Sequence, residues 1–386
     1  MNYPVSKLKD CCTIIAGQSP ESKYYNFDGE GIPFFQGKAD FGDLYPTIRV
    51  YCSQPTKIAE KDDILLSVRA PVGPTNLAPC QVCIGRGLTA IRPSSQLLTG
   101  YVLMFFRFFE AQLALKGTGT TFNAITQNVV KNLEIPIPPL DEQRRIVSRI
   151  EELFYELDNS VSTLQKTKEQ LKVYRQAVLK EAFESGSDYE MQKTCVIGEV
   201  CLGRQRSPKN VSKDYPTKYI RAANITEQGL ALEDVLEMEF TPTERKKYYL
   251  RQGDIIVSEA SGSASQVGKP AIWKNEIEGC CFQNTVIRLR LYKDDPAYVC
   301  LYLKYLYMSG RIARIAGGVG INHLGANKFS NIEVPIPPLE KQYTIVTEIE
   351  SRLSVCDSIQ RTVDTALRQA EAMRQSILKQ AFEGRL

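Results

Sequence analysis

EIPIPPLDEQRRIV runs from residue 134 to 147, and EVPIPPLEKQYTIV runs from 333 to 346. The two boxes lie 199 residues apart. The same offset joins QAVLKEAFESG, starting at Gln176, to QSILKQAFEGR, starting at Gln375. It also brings Asn123 onto Asn322 and Asn132 onto Asn331. Upstream the similarity loosens and the offset shifts. Gln18-Ser19-Pro20 still matches Arg206-Ser207-Pro208, and Lys61–Ser67 still matches Gln252–Ser258. A period this long marks a duplicated unit. The layout is a variable domain (1–139), a fixed segment (140–187), a second variable domain (188–338) and a second fixed segment (339–386).

The fixed segments read as long helices. Pro138-Pro139 and Pro337-Pro338 force an extended approach and suit a helix start. Asp141 and Glu142 then fall in the first turn, where carboxylates favour the helix dipole. No glycine or proline interrupts Leu140–Ser185 or Leu339–Glu383. About 44 residues of helix extend roughly 66 Å. Ile146, Ile150, Leu153, Leu157, Leu164, Leu171, Tyr174 and Val178 fit a heptad seam, with polar interruptions at Ser160 and Thr167. The second copy offers Ile345, Ile349, Cys356, Val363, Met373 and Ile377, and places Arg352 at the position of Leu153. Such a stripe could pack on its own domain. The length exceeds one compact domain, however, and the natural partner of a doubled stripe is its copy. Two repeats related by a pseudo-twofold axis would pair these helices as an antiparallel coiled coil.

The variable regions read as mixed α/β, so the fold class is α+β. Ile64–Val68, Ile84, Leu88–Ile91, Ile255–Val257 and Thr285–Leu291 are short apolar runs of strand type. Tyr101–Leu115 and Ala297–Ile315 are expected to be helices. Between them lie loops rich in Ser, Thr, Asn, Gln, Arg and Lys.

Composition sets the bounds. The formal net charge is +4, and no run of eighteen apolar residues suggests a membrane span. The N-terminal stretch lacks the pattern of a signal peptide, which predicts a cytoplasmic protein. Net charge is +2 over 1–140, −1 over 141–187, +3 over 188–338 and zero over 339–386. A mild excess on the variable regions suits a DNA binder that borrows phosphate-binding charge from partners, and equally suits a neutral cytoplasmic protein. Eleven cysteines, an odd number, read as reduced and mostly buried thiols. Cys80 and Cys83 form a CxxC without a second pair at zinc-ligand spacing, so no metal is expected.

Catalytic constellations are missing. His323 is the one histidine, and no GxSxG elbow surrounds any serine. Gly262–Pro270 imitates a phosphate loop, but its spacing is one residue too long and proline stands where Ser or Thr must hold magnesium. Gly117-Thr118-Gly119 reads as a turn. Asp254 and Glu259 could suggest a nuclease metal pair, yet no Glu-x-Lys follows. The proline pairs follow isoleucine, which does not make the Asn/Asp-Pro-Pro-aromatic motif of an adenine methyltransferase. The expectation is a non-enzyme without cofactor.

The chain resembles the specificity subunits of type I restriction–modification enzymes. The resemblance rests on the two IPIPPLxEQ-like boxes, the LKxAFExG-like helix ends and the GTGTTFNAI and GGVGINHLG approaches. The FFQGKADFG and KYIRAANI segments add to it. It covers essentially the whole chain. One departure is the second box, where Glu-Lys-Gln replaces Asp-Glu-Gln, so contacts of Glu142 are not expected at Lys341. The resemblance implies two target recognition domains, each reading one half of a bipartite, asymmetric double-stranded DNA target. It implies two methyltransferase subunits, which carry the catalytic site, docked on the helices, and two translocating restriction subunits joining for cleavage.

Base edges are read by Arg or Lys on guanine, Asn or Gln on adenine, and Ser or Thr on either. The candidates in the first domain are Gln36, Lys38, Arg69, Asn76, Arg86, Thr120, Thr121 and Asn123. In the second they are Arg221, Asn224, Ser261, Ser263, Gln266, Lys269, Gln283, Asn322 and His323. Loop-stabilising and phosphate contacts use the same residue types. Candidates for partner binding are Glu142, Gln143, Arg144, Arg149, Lys341 and Gln342. A protein-interaction scaffold without DNA specificity is the competing reading; sequence-specific DNA binding in the presence of methyltransferase subunits separates the two.

Overall fold

Strands of three to six residues with largely apolar side chains build the centre of each repeat. The computed structural model describes residues 3–116, 124–184, 189–205, 216–227, 229–261, 266–317 and 322–386. The chain divides into two compact units, one of residues 1–165 with 364–386 and the other of residues 166–363.

In the first unit a four-stranded antiparallel sheet runs in the order Cys12–Ala16, Leu88–Pro93, Ile64–Ser67, Thr75–Leu77. Ile64–Ser67 is buried throughout, which explains its unbroken apolar run: a strand covered on both faces has no reason to alternate. The helix Thr99–Leu115 buries Tyr101 through Phe106 in the same core cluster as Ile64 and Leu66. A second sheet joins Ile32–Phe35 to Val82–Ile84 in parallel, with Phe34 opposite Cys83. Val5–Lys7 pairs with Glu134–Pro136, closing the domain just before the first long helix.

The second unit repeats this plan. Its central sheet runs Gly198–Leu202, Val286–Leu291, Ile255–Ser258, Pro270–Ile272. Tyr219 lies parallel to Cys281, and Met191–Lys193 pairs with Glu333–Pro335. Even an ion pair on a buried aspartate is duplicated. Arg92 bonds both oxygens of Asp63 at 2.8 Å, and Arg290 bonds both of Asp254 at 2.7 Å. Asp254 is therefore committed to the fold and does not join Glu259 in a metal pair. The expected helix Ala297–Ile315 is two helices, Pro296–Met308 and Arg311–Ala316. Gly310, at φ 70°, supplies the left-handed residue that breaks them.

The long helices span Leu140–Glu184 and Leu339–Phe382. In the first unit Ile146, Ile150 and Phe154 share a core cluster with Leu378 and Ala381. In the second, Val178 and Leu179 share one with Val346 and Ile349. Ion pairs in the second unit run in opposite senses along the two helices, Arg175 to Asp357 at 2.5 Å and Arg352 to Glu181 at 2.9 Å. In the first, Arg374 pairs with Asp158. A line of every seventh residue is buried or half-buried, Ile150, Leu157, Leu164, Leu171 and Val178, then Ile349, Cys356, Val363, Ala370 and Ile377. Tyr174 and Met373, assigned to the seam by their apolar character, are exposed. Ala370 takes the place given to Met373.

Eight of the eleven cysteines are buried and none is in a disulfide. Burial pushes the Cys280 and Cys281 thiols up to about 12.

Candidate nucleic-acid interface

The loop leaving the strand Ile64–Ser67 is folded by one hydroxyl. Ser67 Oγ donates to the carbonyls of Arg69 (3.1 Å) and Pro71 (2.9 Å), while the Ser67 carbonyl accepts from Gly73 N (3.0 Å). Arg69 is exposed and forms a backbone bridge to Ala124. Ile125 N donates to the Val68 carbonyl at 3.0 Å. Arg69 is thus held beside Ala124. Thr120, Thr121 and Asn123 lie outside the described residues.

The second unit makes the same junction. Ser258 Oγ donates to the Gln266 carbonyl and accepts from Lys269 N, both at 2.9 Å. Gly268 N donates to the Ser258 carbonyl at 2.8 Å. Ala260 pairs with His323 and Ser261 with Asn322. The backbones of Ser261, Asn322 and His323 are therefore brought together. Gln266 is exposed. Ser263 lies outside the described residues.

A second junction brings Gln36 and Arg86 together. Gly85 N donates to the Phe35 carbonyl at 2.8 Å, Gly87 N to the Gln36 carbonyl at 3.1 Å, and Arg86 N to Ser19 Oγ at 3.2 Å. Gln36, Lys38 and Arg86 are all exposed. A Cβ at Gly17 would sit 2.2 Å from the Gly85 carbonyl oxygen, so only glycine passes here. Gly203 is its counterpart, where a Cβ would sit 2.1 Å from the carbonyl oxygen of Gln283. Half-buried Gln283 donates its N–H to the Ile220 carbonyl at 2.9 Å, next to Arg221, whose guanidinium pairs with Asp234.

Several candidates do other work. Asn76 is buried; its Oδ1 accepts from Gly42 N at 3.0 Å, and its Nδ2 donates to the carbonyls of Gly42 and Thr75 at 2.9 Å. Asn224 is buried likewise. It accepts from Arg221 N at 3.0 Å and donates to the carbonyls of Ala231 (2.9 Å) and Asp234 (3.0 Å). Both are turn staples, with their amides spent on backbone groups. Lys269 is buried with Nζ on Gln266 Oε1 at 2.6 Å, so it braces the loop from within.

The partner-binding candidates split in the same way. Gln143 is fully buried, accepting from Leu98 N and donating to the carbonyls of Gln96 and Pro138, all at 2.8 Å. Gln342 accepts from Asp295 N and donates to Asp294 Oδ1 and the Pro337 carbonyl, all at 2.9 Å. Both tie a helix start to its own domain and are buried away from any partner. Arg144 and Arg149 are exposed, each paired on its own helix, with Asp141 (2.5 Å) and Glu152 (2.7 Å). Glu142 takes two bonds from Arg145, at 2.7 and 2.8 Å, and one from the Tyr3 hydroxyl at 2.9 Å. Those partners hold its carboxyl down at about 2. Lys341, exposed, carries the opposite charge at the corresponding position.

Residues 2–172, and again 189–367, match the family described as the type I restriction modification DNA specificity domain. The chain belongs to this family. Its role is accordingly DNA specificity in a type I restriction–modification system. It is similar to the MjaX specificity subunit described for a type I restriction enzyme of Methanocaldococcus jannaschii, 39% identical over 167 residues. That match takes in 43% of this chain and 38% of the relative. The type I restriction enzyme StySPI specificity subunit of Salmonella potsdam is 25% identical over 377 residues, 91% of this chain and 80% of the relative. The crystal structure of the HsdS subunit from Thermoanaerobacter tengcongensis has the same fold, with a TM-score of 0.54 at 20% identity. It covers 100% of this chain and 97% of that one.

Three residues at these junctions were not among the sequence candidates for DNA contact. Ser67 and Ser258 close the repeat's LLS and IVS strands, and their recurrence was the available signal. Glu259 stood out in the sequence only as a possible metal partner of Asp254, and the repeat gives no signal for its role here, because Val68 fills its place in the first unit.

Proposed function

We propose that each unit reads one half of a bipartite, asymmetric double-stranded DNA target, the first through the loops of Arg69, Gln36 and Arg86, the second through those of Ser261, Asn322 and His323. The observation that carries this is the repeated junction. In both units a serine-stapled loop meets the segment just before the Ile125 or Leu324 position, with exposed Arg69 there in the first unit and exposed Gln266 and His323 in the second. Base contacts give sequence, and two such surfaces give two half-sites.

The chain does this as a non-catalytic subunit in the cytoplasm. The long helices pair as an antiparallel coiled coil that fixes the spacer between half-sites. Their outer faces, with Arg144, Arg149 and Lys341, dock two methyltransferase subunits that supply the chemistry; two restriction subunits join for cleavage. Among the described residues no helix is long and apolar enough to cross a membrane.

The test is to co-express the chain with its methyltransferase partner and map methylated bases. A bipartite motif is expected. Replacing residues 1–135 with another family member's front domain should change one half of the motif only; a swap that alters both halves overturns the assignment of one half-site to each unit.

A further inference from the structure

We propose that His323 determines specificity within the half-site read by the second unit, and that Glu259 is the positioning residue that fixes its ring; this rests on the DNA-reading role proposed above.

The two units share one backbone arrangement at this junction and differ in the side chains placed on it. Arg69 bridges Ala124, and Ile125 N donates to the Val68 carbonyl at 3.0 Å. Ala260 pairs with His323, and Leu324 N donates to the Glu259 carbonyl at 2.9 Å. Glu259 therefore occupies the backbone position of Val68, and His323 that of Ala124. Val68 and Glu259 are equally buried, each at 8% exposure. Valine is enough to build this loop. A buried carboxylate in its place costs desolvation and gives nothing to the core.

What offsets that cost is the ring of His323. Its Nδ1 lies 3.2 Å from both carboxylate oxygens of Glu259. The Glu259 side chain is 11% exposed and the His323 side chain 58%. A mostly solvated ring adds little apolar burial, so clamping it serves no packing purpose. The clamp does have a chemical result. An ionised carboxylate accepts hydrogen bonds and cannot donate them, so Nδ1 must carry the proton. In the neutral ring the far nitrogen, Nε2, is then an acceptor. An acceptor set in the major groove pairs with an exocyclic amino group, N6 of adenine or N4 of cytosine. The first unit has neither group at this position, so the effect belongs to one half-site.

The experiment uses the full chain with its methyltransferase partner and maps methylation for wild type, H323A, E259Q and the double variant E259V/H323A. The double variant installs the Val68 and Ala124 arrangement that already folds in the first unit. H323A is expected to lose about tenfold discrimination at one base pair of the second half-site, leaving the first half and the spacer unchanged. E259Q should relax the same position, and E259V/H323A should match H323A. Because the chain has one histidine, ¹⁵N-histidine labelling of this chain alone, assembled with unlabelled methyltransferase subunits, reports one ring. Wild type should show the Nδ1–H tautomer, and E259Q should lose it. Unchanged discrimination in H323A would overturn the inference. So would uniform weakening on all sequences, the mark of a phosphate contact, or an Nε2–H tautomer in wild type. Absence of any sequence-specific methylation by the wild-type complex would overturn both this inference and the reading beneath it.

Discussion

Gln143 and Gln342 illustrate how a polar side chain can be spent entirely on architecture. Each buried amide satisfies one backbone N–H and two acceptors at the start of a long helix. Truncation to alanine would strand those groups without water to replace the amide. We expect Gln143→Ala and Gln342→Ala each to lose about 2–4 kcal/mol, read by urea denaturation; wild-type stability would contradict the accounting. Glu142, nearby, gives a pH signature. Its carboxyl is held down by Arg145 first and Tyr3 second. A depressed folded value stabilises the fold above the unfolded value of about 4.3, and that stabilisation is lost as pH falls towards 2. The melting-temperature gap between wild type and Glu142→Gln should therefore be full at pH 6 and close on acidification to pH 2. A gap that is constant over this range would count against the ion pair. At this scale the sequence was only half legible. The types Asn, Gln and Lys that read bases are also those that staple turns, and Asn76, Asn224 and Lys269 differ from the exposed Gln36 and Arg86 only in the backbone that surrounds them.

The helix ends carry more than the repeat in sequence discloses. Phe382 packs against Tyr101 and Phe108, with ring centroids 5.2 and 5.6 Å apart. Phe183 packs against Tyr302 at 5.2 Å and Tyr298 at 5.7 Å. Each long helix thus delivers its last turn to the core of one unit, anchored by the phenylalanine of the LKxAFE motif. Phe382→Ala should destabilise the first unit and Phe183→Ala the second, each by about 3–5 kcal/mol. Hydrogen exchange on the intact chain would show the loss confined to one unit, and a loss shared by both would refute the assignment. The motif was plain in the sequence, but its role was not, because an apolar residue at a helix end looks the same whether it meets a helix or a distant domain. The seam shows the same limit. Counting apolar residues favours Tyr174 and Met373, yet both are exposed while the small side chain of Ala370 is buried.

At the scale of the whole molecule, the first unit is completed by residues 364–386 from the far end of the chain. A fragment of residues 1–187 lacks them. Its recognition domain would expose the apolar surface of Tyr101, Phe105 and Phe108 that Phe382 covers, at a cost of about 25 cal/mol for each Å². The same fragment carries a spare copy of the missing piece. Its own QAVLKEAFE end repeats QSILKQAFE, with Val178, Leu179 and Phe183 standing where Ile377, Leu378 and Phe382 stand. Two fragments can each supply the helix end the other lacks, and reciprocal exchange between identical chains gives a closed two-fold dimer. The partner residues fit closely but not identically: Arg374 meets Asp158 in the intact chain, and the repeat places Arg175 at the position of Arg374, so the ion pair survives the exchange. Two identical recognition domains related by a two-fold axis would face DNA with opposite polarity. We therefore expect residues 1–187, expressed with the methyltransferase subunit, to form a dimer and to direct methylation to an inverted repeat of the first half-site. Light scattering and methylation mapping decide it: a stable monomer, or modification at an asymmetric sequence, would mean that the second helix end has a property the first does not share.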